Sequence, residues 1–318
     1  MVKIAVAGGS GQVSREVIDS LLSANKHEIA ILSRSPAKEI IDAKIMHHVV
    51  DYDSVDDLVN ALRGVHTVLS FIQILSDNDQ KSQRNLIDAA ILAGVKRFAP
   101  SEYGSAGTMH MPWYAGKQKI REYLRKVNGS GKVLEYCLFT PGLFLNYLAF
   151  PKKTSKHLSP LGTVFDFQNR RAILVDGYET ANVTLTTVTD FATVMVIAID
   201  YEGTWPEFGG IQGNKVTVKQ IIEIGEKVRG CPFAVEKVKL EDLEKGNLTS
   251  PWGLEVPHKA VSEEEAQHML RQVTIGMLLS TAKGAWEGSN ELNQLFPNCR
   301  FTAIEDFLAE VWHDHKYK

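Results

Sequence analysis

Three groups of residues could do chemistry. The first is the run Gly8-Gly9-Ser10-Gly11-Gln12-Val13-Ser14, which follows an apolar tetrad, Ile4 to Ala7. Read as GxxGxxG, Gly8 and Gly11 match, and Ser14 stands at the third small position. Residues without a Cβ let a backbone approach a pyrophosphate, and the exposed N–H groups of the following helix meet its charge. Ser10, Gln12 and Val13 would border the same group. A glycine pattern alone is a weak signal, and the plain alternative is an ordinary turn. Its place between a strand and a helix is what makes it a dinucleotide site. The second group decides which dinucleotide. A site for NAD usually carries an acid at the end of the second strand, for the ribose 2′-hydroxyl. Here Leu32 to Lys38 contains no acid, but has Arg34 and Lys38. A guanidinium fork and a point charge suit a 2′-phosphate, so NADP(H) is expected; otherwise these two residues form a solvated basic loop.

The third group is a lysine on an apolar face. Trp113, Lys117, Ile120, Leu124 and Val127 follow one another at intervals of four, three, four and three, and so share one side of a helix. The other charged residues of that helix, Lys119, Arg121, Glu122, Arg125 and Lys126, mostly lie off the stripe. A lysine there must reach water, a phosphate or a substrate. Snorkelling is the plain alternative; general acid–base work is the sharper one. Tyr114 precedes Lys117 by three residues, so the Tyr-x-x-x-Lys pair of many short-chain dehydrogenases is absent.

These residues need elements to hold them. The first 150 residues alternate short apolar runs with helical patterns. Strands are expected at Ile4–Ala7, Glu28–Ser33, Ile45–Val50, Thr67–Phe71, Val95–Ala99 and Val133–Phe139. Helices are expected after the glycine turn to about Leu22 and over Asp53–Leu62, Asp79–Ala93 and Trp113–Lys126. Repeated βα units of this size imply α/β architecture with a Rossmann-type doubly wound parallel sheet. Lys117 then lies near the carboxyl edge of the sheet, where ligands bind. Beyond Pro141 the rhythm breaks. Residues 151–181 and 215–318 read as a smaller α+β substrate-binding part. Residues 182–214 are expected to return to the nucleotide-binding domain, 1–150. Helices are expected over Thr217–Arg229, from Ser262 with Glu263, Glu264 and Glu265 in its first turn, and over Thr302–Trp312.

The 318 residues are 44% hydrophobic and 23% charged, which fits a globular protein rather than a disordered one. Thirty-five basic against 38 acidic side chains leave a net charge of −3, unlike a general nucleic-acid binder. Cys137, Cys231 and Cys299 make neither a disulfide framework nor a zinc motif, so no metal is expected and a reducing compartment is. No signal peptide is visible, and Val183–Ile199 carries Asp190 and five threonines, which disfavours a membrane span. These features point to a cytoplasmic protein, monomeric or homodimeric, with a small-molecule substrate. His47-His48 and His313-Asp314-His315 are poor metal candidates, one on a strand and one at a terminus. Trp205, Trp252 and Trp286 are more often packing residues than a cavity lining. The absence of GxSxG disfavours a hydrolase.

Taken with the glycine turn and Lys117, the run Lys96-Arg97-Phe98-Ala99-Pro100-Ser101-Glu102-Tyr103-Gly104 resembles the NmrA-like family. More narrowly it resembles the isoflavone-reductase-like branch, an atypical group of short-chain dehydrogenases. Thr140 to Asn146, Val188-Thr189-Asp190 and Thr302 to Leu308 add to the likeness, which is strongest over residues 1–150. The departures are Ser14 and the Glu102-Tyr103-Gly104 form of the segment after the fifth strand. The resemblance implies an NADPH-binding domain, a smaller substrate domain and a site between them. It implies that Lys117 matches the lysine given general acid–base work in family reductases. It also implies that Ser70-Phe71-Ile72 and Pro141-Gly142-Phe144 border the cofactor. Such relatives reduce or rearrange aromatic and other secondary metabolites.

The expectation is hydride transfer from NADPH to a polarised unsaturated carbon or imine, with Lys117 as cation or proton donor. Tyr103, His110 and Tyr114 are candidate substrate contacts, though each is more simply a packing or surface residue. Two other functions compete. One is a dinucleotide-binding sensor that regulates partners without turnover, which has no need of a lysine on a buried face. The other is a catalyst of rearrangement or cyclisation that uses bound NADPH.

Overall fold

The architecture is that of a computed structural model in which residues 1–36, 45–254 and 263–313 are described, the first five of the last segment through their backbone alone. Lys38, Ser262, Asp314 and His315 lie outside the described residues, as do the side chains of Glu263, Glu264 and Glu265.

The first half runs β1 (Lys3–Ala7), α1 (Gln12–Ala24), β2 (Glu28–Ser33), β3 (Ile45–Val49), α2 (Val55–Ala61) and β4 (Thr67–Ser70). It continues with α3 (Lys81–Leu92), β5 (Arg97–Ala99), α4 (Ala115–Val127) and β6 (Glu135–Tyr136). The six strands are parallel, in the order β3-β2-β1-β4-β5-β6. This is the doubly wound order whose direction reverses between β1 and β4, where a crevice opens at the strands' carboxyl ends. The unbroken apolar character of β1 follows from burial on both faces. Ile4 and Val6 pack with Val17, Ile18 and Leu21 of α1, while Ala5 and Ala7 face Leu58, Leu86 and Leu124 from α2, α3 and α4.

The second half runs β7 (Leu138–Thr140), β8 (Leu143–Phe144), β9 (Phe165–Asp166), β10 (Arg171–Val175), β11 (Asn182–Thr186), α5 (Val188–Asp200) and β12 (Phe208–Gly210). It ends with β13 (Asn214–Thr217), α6 (Val218–Arg229), β14 (Ala234–Val238), α7 (Leu240–Glu244), α8 (Glu263–Ala282), α9 (Glu291–Leu295) and α10 (Ile304–Trp312). The expected sixth strand is two strands. After β6 the chain bends at Cys137, whose N–H still reaches the Phe98 carbonyl at 3.2 Å, and β7 then takes β12 as a parallel partner. Residues 182–214 are divided. β11 pairs with β8 and β13 in a separate three-stranded sheet, whereas Phe191 and Met195 of α5 enter the core that α1 shares with the large sheet. A third sheet, β14-β10-β9, packs with α6, α8 and α10 around Phe167, Phe233 and Trp312. Two-residue strands such as β8 and β9 carry no alternation long enough to read in a sequence.

Helix α6 opens with a capping box: the Thr217 hydroxyl accepts from the Gln220 N–H at 3.1 Å, and Gln220 Oε1 accepts from the Thr217 N–H at 2.8 Å. Thr217→Ala should lower stability by about 1 kcal/mol while Thr217→Ser stays near the parent, read as shifts in the urea midpoint.

Candidate functional site: two joined clefts at the sheet edge

The glycine turn is a close backbone crossing. Gly8 has φ +74°, and a Cβ there would lie 2.7 Å from the Phe71 carbonyl oxygen at the end of β4. The Ser14 hydroxyl reaches the carbonyls of both Gly8 (2.9 Å) and Gly11 (2.8 Å), so the residue in the third small position ties the turn together. Helix α1 has Gly11 at its N-cap, with no side-chain cap and no acid in its first turn. Its opening amides and the positive end of its dipole therefore face outward, which suits an anion. A cleft of about 280 Å³ lies beside the turn, bordered by Gly8, Ser10, Gly11, Arg34, Tyr52 and Phe71. Tyr52 donates its hydroxyl to the Leu32 carbonyl at 3.1 Å, fixing the ring as one wall. Asp77 also borders the cleft, but its carboxylate accepts from the amides of Ser82 (2.8 Å) and Gln83 (3.0 Å) at the start of α3. Exposed Arg34 puts a cation at the rim. A phosphate-bearing dinucleotide fits this set: a turn that a Cβ would close, uncapped amides and a basic rim.

Gly11, Phe71 and Gln73 also border a second cleft of about 470 Å³. Its walls are apolar and aromatic, with Tyr103, Trp113, Tyr114 and Tyr147 among them, and Lys117 is the one charged side chain in the lining among the described residues. Tyr103 stacks on Phe71 with centroids 4.4 Å apart, and its hydroxyl is buried without a hydrogen-bond partner. Lys117 is 3% exposed. Its ammonium donates to the Glu102 carbonyl at 2.7 Å and stands 3.6 Å from the centre of the Tyr114 ring. Gly104 makes room for this: a Cβ there would lie 2.9 Å from the Tyr114 hydroxyl and 3.1 Å from Lys117 Nζ. Burial brings the Lys117 amine down to about 8, with Arg121 pushing the same way and Glu102 opposing. Burial also holds the Tyr114 phenol up at about 12, so it stays protonated near neutrality.

The residues singled out in the sequence separate accordingly. Gly8, Ser10, Gly11, Arg34 and Phe71 border the first cleft; Gln12, Val13, Tyr103, Tyr114 and Lys117 border the second. Pro141 and Phe144 are buried, and neither is among the residues lining the two clefts. Gly142, next to Pro141, donates to the Gly104 carbonyl at 3.1 Å, and Phe144 packs edge-on against Tyr147 and Phe191. His110 is exposed and borders neither cleft; its carbonyl packs against Gly276 of α8. Trp205 and Trp286 are core residues, and Trp252 lies against Arg171.

Sequence reasoning did not single out Tyr147, Leu158, Glu16 or the pairing of Arg121. Arg121, which the stripe left outside, is 7% exposed and joined to Glu102. Leu158 reaches the cleft because the excursion after Phe150 turns back onto α1. Glu16 Oε1 accepts from the amides of His157 (2.6 Å) and Leu158 (3.0 Å), Gln12 Oε1 accepts from Ser159 (2.9 Å), and Asp19 pairs with Lys156 and His157. The signal that was available is the run of polar residues along α1 at Gln12, Glu16 and Asp19, spaced four and three apart.

Two outcomes follow from this geometry. Gly64 shares the positive φ of Gly8 but has nothing within 4 Å of its virtual Cβ. Gly8→Ala should therefore cost roughly 1–3 kcal/mol more than Gly64→Ala in denaturant unfolding, the excess coming from displaced backbone at Phe71. Lys117 titrates near 8 when folded and 10.5 when unfolded, so the unfolded chain binds more protons between those values. Below pH 8 the amine is charged in both states and its burial penalty is fully present; stability then rises with pH across the window. Relative to Lys117→Met, the parent should gain on the order of 3 kcal/mol between pH 8 and 10.5 in unfolding experiments.

The NmrA-like family model matches residues 2–308. Oxidoreductase swnN of Metarhizium robertsii is 29% identical over 342 aligned positions, covering 98% of each chain. Oxidoreductase BOA1 of Botryotinia fuckeliana is 33% identical over 238 positions, covering 72% of this chain and 77% of that one. Among solved structures, the triphenylmethane reductase of Citrobacter sp., determined with NADP(H), superposes with TM-score 0.67 at 18% identity, over 97% of this chain and 99% of the other. The NADPH complex of the quinone oxidoreductase QOR2 of Escherichia coli gives 0.64 at 20%, over 97% and 99%. With a Rossmann sheet at its centre and a family match over nearly its whole length, the chain belongs to the NmrA-like family.

Proposed function

We propose that the protein is an NADPH-dependent reductase acting on a small aromatic or imine-type metabolite, with Lys117 as general acid. The observation that carries this reading is the buried amine of Lys117, the one charged side chain among the described residues lining an aromatic cleft that shares Gly11, Phe71 and Gln73 with the glycine-turn cleft. Relatives named as oxidoreductases support it, as do structural neighbours solved with NADPH or NADP(H). The glycine-turn amides and Arg34 would hold the phosphates, with Lys38 as a further candidate, and Phe71 would back the ring end of the nucleotide. Bound NADPH supplies a hydride. The chain's own part is to receive the substrate between aromatic walls and to exclude water beneath Leu158. Lys117 then places a cation or proton where negative charge develops. Tyr114 holds that amine through its ring, and its phenol stays neutral. Reduction or rearrangement of secondary metabolites is the setting we infer, in keeping with the aromatic lining of Tyr103, Trp113, Tyr114 and Tyr147.

Calorimetry with NADPH and NADH, followed by turnover with aromatic and imine substrates, tests the reading. Lys117→Ala should keep nucleotide binding and lose about 10²–10⁴ in kcat. In the parent, kcat/KM should fall as pH rises through about 8, where the amine loses its proton; this limb should be missing in Lys117→Ala. Deuteride from labelled NADPH should appear in the product. Binding without turnover or deuterium transfer would favour a sensor, and conversion without label transfer a rearrangement catalyst.

A further inference from the structure

Lys117 touches a residue that carries a carboxylate, yet the carboxylate faces away from it. The amine donates to the backbone carbonyl of Glu102. The side chain of Glu102 turns instead to Arg121, one helical turn beyond Lys117 on α4, and forms a two-point ion pair: Nε to Oε1 at 2.9 Å and Nη2 to Oε2 at 2.6 Å. Arg121 Nη1 also donates to the Ala106 carbonyl at 3.0 Å, so a single guanidinium fastens the loop after β5 at two points. The paired side chains are 8% and 1% exposed. Buried pairs of this kind add little net stability over apolar residues of similar size, so their placement beside the amine calls for another explanation.

The charged groups that bear on Lys117 are few. From the loop comes the Glu102 carboxylate, which favours the ammonium; from α4 comes the Arg121 guanidinium, which disfavours it. The facing phenols, Tyr103, Tyr114 and Tyr147, are all held above their usual range by burial and stay neutral. We propose that Glu102 and Arg121 are a positioning pair that sets how readily Lys117 gives up its proton. Arg121 captures the carboxylate that would otherwise lock the amine into a permanent ion pair. The same guanidinium fixes the loop whose carbonyl orients Nζ. The pair does not touch the substrate; it acts through Lys117, and the inference rests on the reading of Lys117 as the acid only for its consequence in turnover.

The test is the titration of Lys117 itself, followed by NMR in full-length protein labelled with ¹³Cε-lysine, its resonance being the one missing from Lys117→Arg. Glu102→Gln should lower the midpoint by about one pH unit, and Arg121→Gln should raise it by a similar amount. The double variant should return near the parent. A purely structural pair would shift both single variants the same way or neither, and either result overturns the proposal. If Arg121→Gln does not fold, Glu102→Gln is compared with the double variant: removing Arg121 from that background must raise the midpoint, and a fall or no change overturns it. If the midpoints move as expected while the alkaline limb of kcat/KM stays fixed, the positioning role stands and the catalytic reading of Lys117 falls.

Discussion

An ammonium taken out of water needs an acceptor, and the nature of that acceptor governs the arrangement of this site. Had Lys117 met a carboxylate, the result would be an inert buried ion pair. It meets a carbonyl and a ring face instead, which hold the charge without neutralising it. The requirement reaches outward. Gly104 must lack a side chain for the amine and the Tyr114 hydroxyl to fit, Gly142 must dock on that loop through its own amide, and Arg121 must occupy the nearby carboxylate. The parallel sheet supplies the rigid base. β4 and β5 end side by side, so the Phe71 segment and the Pro100–Gly107 loop emerge at one edge, and α4 returns Lys117 to the same edge.

The two clefts follow from the same edge. Where the winding of the sheet reverses between β1 and β4, a crevice opens at the strand ends, and the crossing at Gly8 brings the turn against the Phe71 carbonyl. Phe71 serves both sides, as part of the first wall and as the face on which Tyr103 stacks. Gly11, Phe71 and Gln73 are shared by the linings of both clefts.

Much of this was legible before any coordinates. The strand–turn–helix opening, the missing acid after β2 and the stripe carrying Lys117 are local patterns governed by one period each, and local patterns survive folding. What escaped reading was non-local. Arg121 looked like a surface residue because a helical wheel does not show that a glutamate nineteen positions earlier waits beneath it. Strands β8 and β9 of the small sheets were invisible because two residues leave no periodicity, and β11 pairs in a small sheet with partners that only tertiary packing could name. For Pro141 and Phe144 the only signal of a cofactor contact is likeness to a family, since neither sits in a pattern of its own period.

The return of the excursion to α1 has a consequence for how such proteins diversify. The roof over the aromatic chamber hangs from three side chains of one helix, Gln12, Glu16 and Asp19, and is held largely through its main-chain amides. The amide of residue 158 is present in every residue but proline, whereas the Asp19 contacts need the side chains of Lys156 and His157. Leu158 itself can thus be exchanged, enlarging or narrowing the chamber, while the suspension points on either side and the phosphate-facing end of the helix remain unaltered. Selectivity for what enters can drift independently of the machinery beneath it.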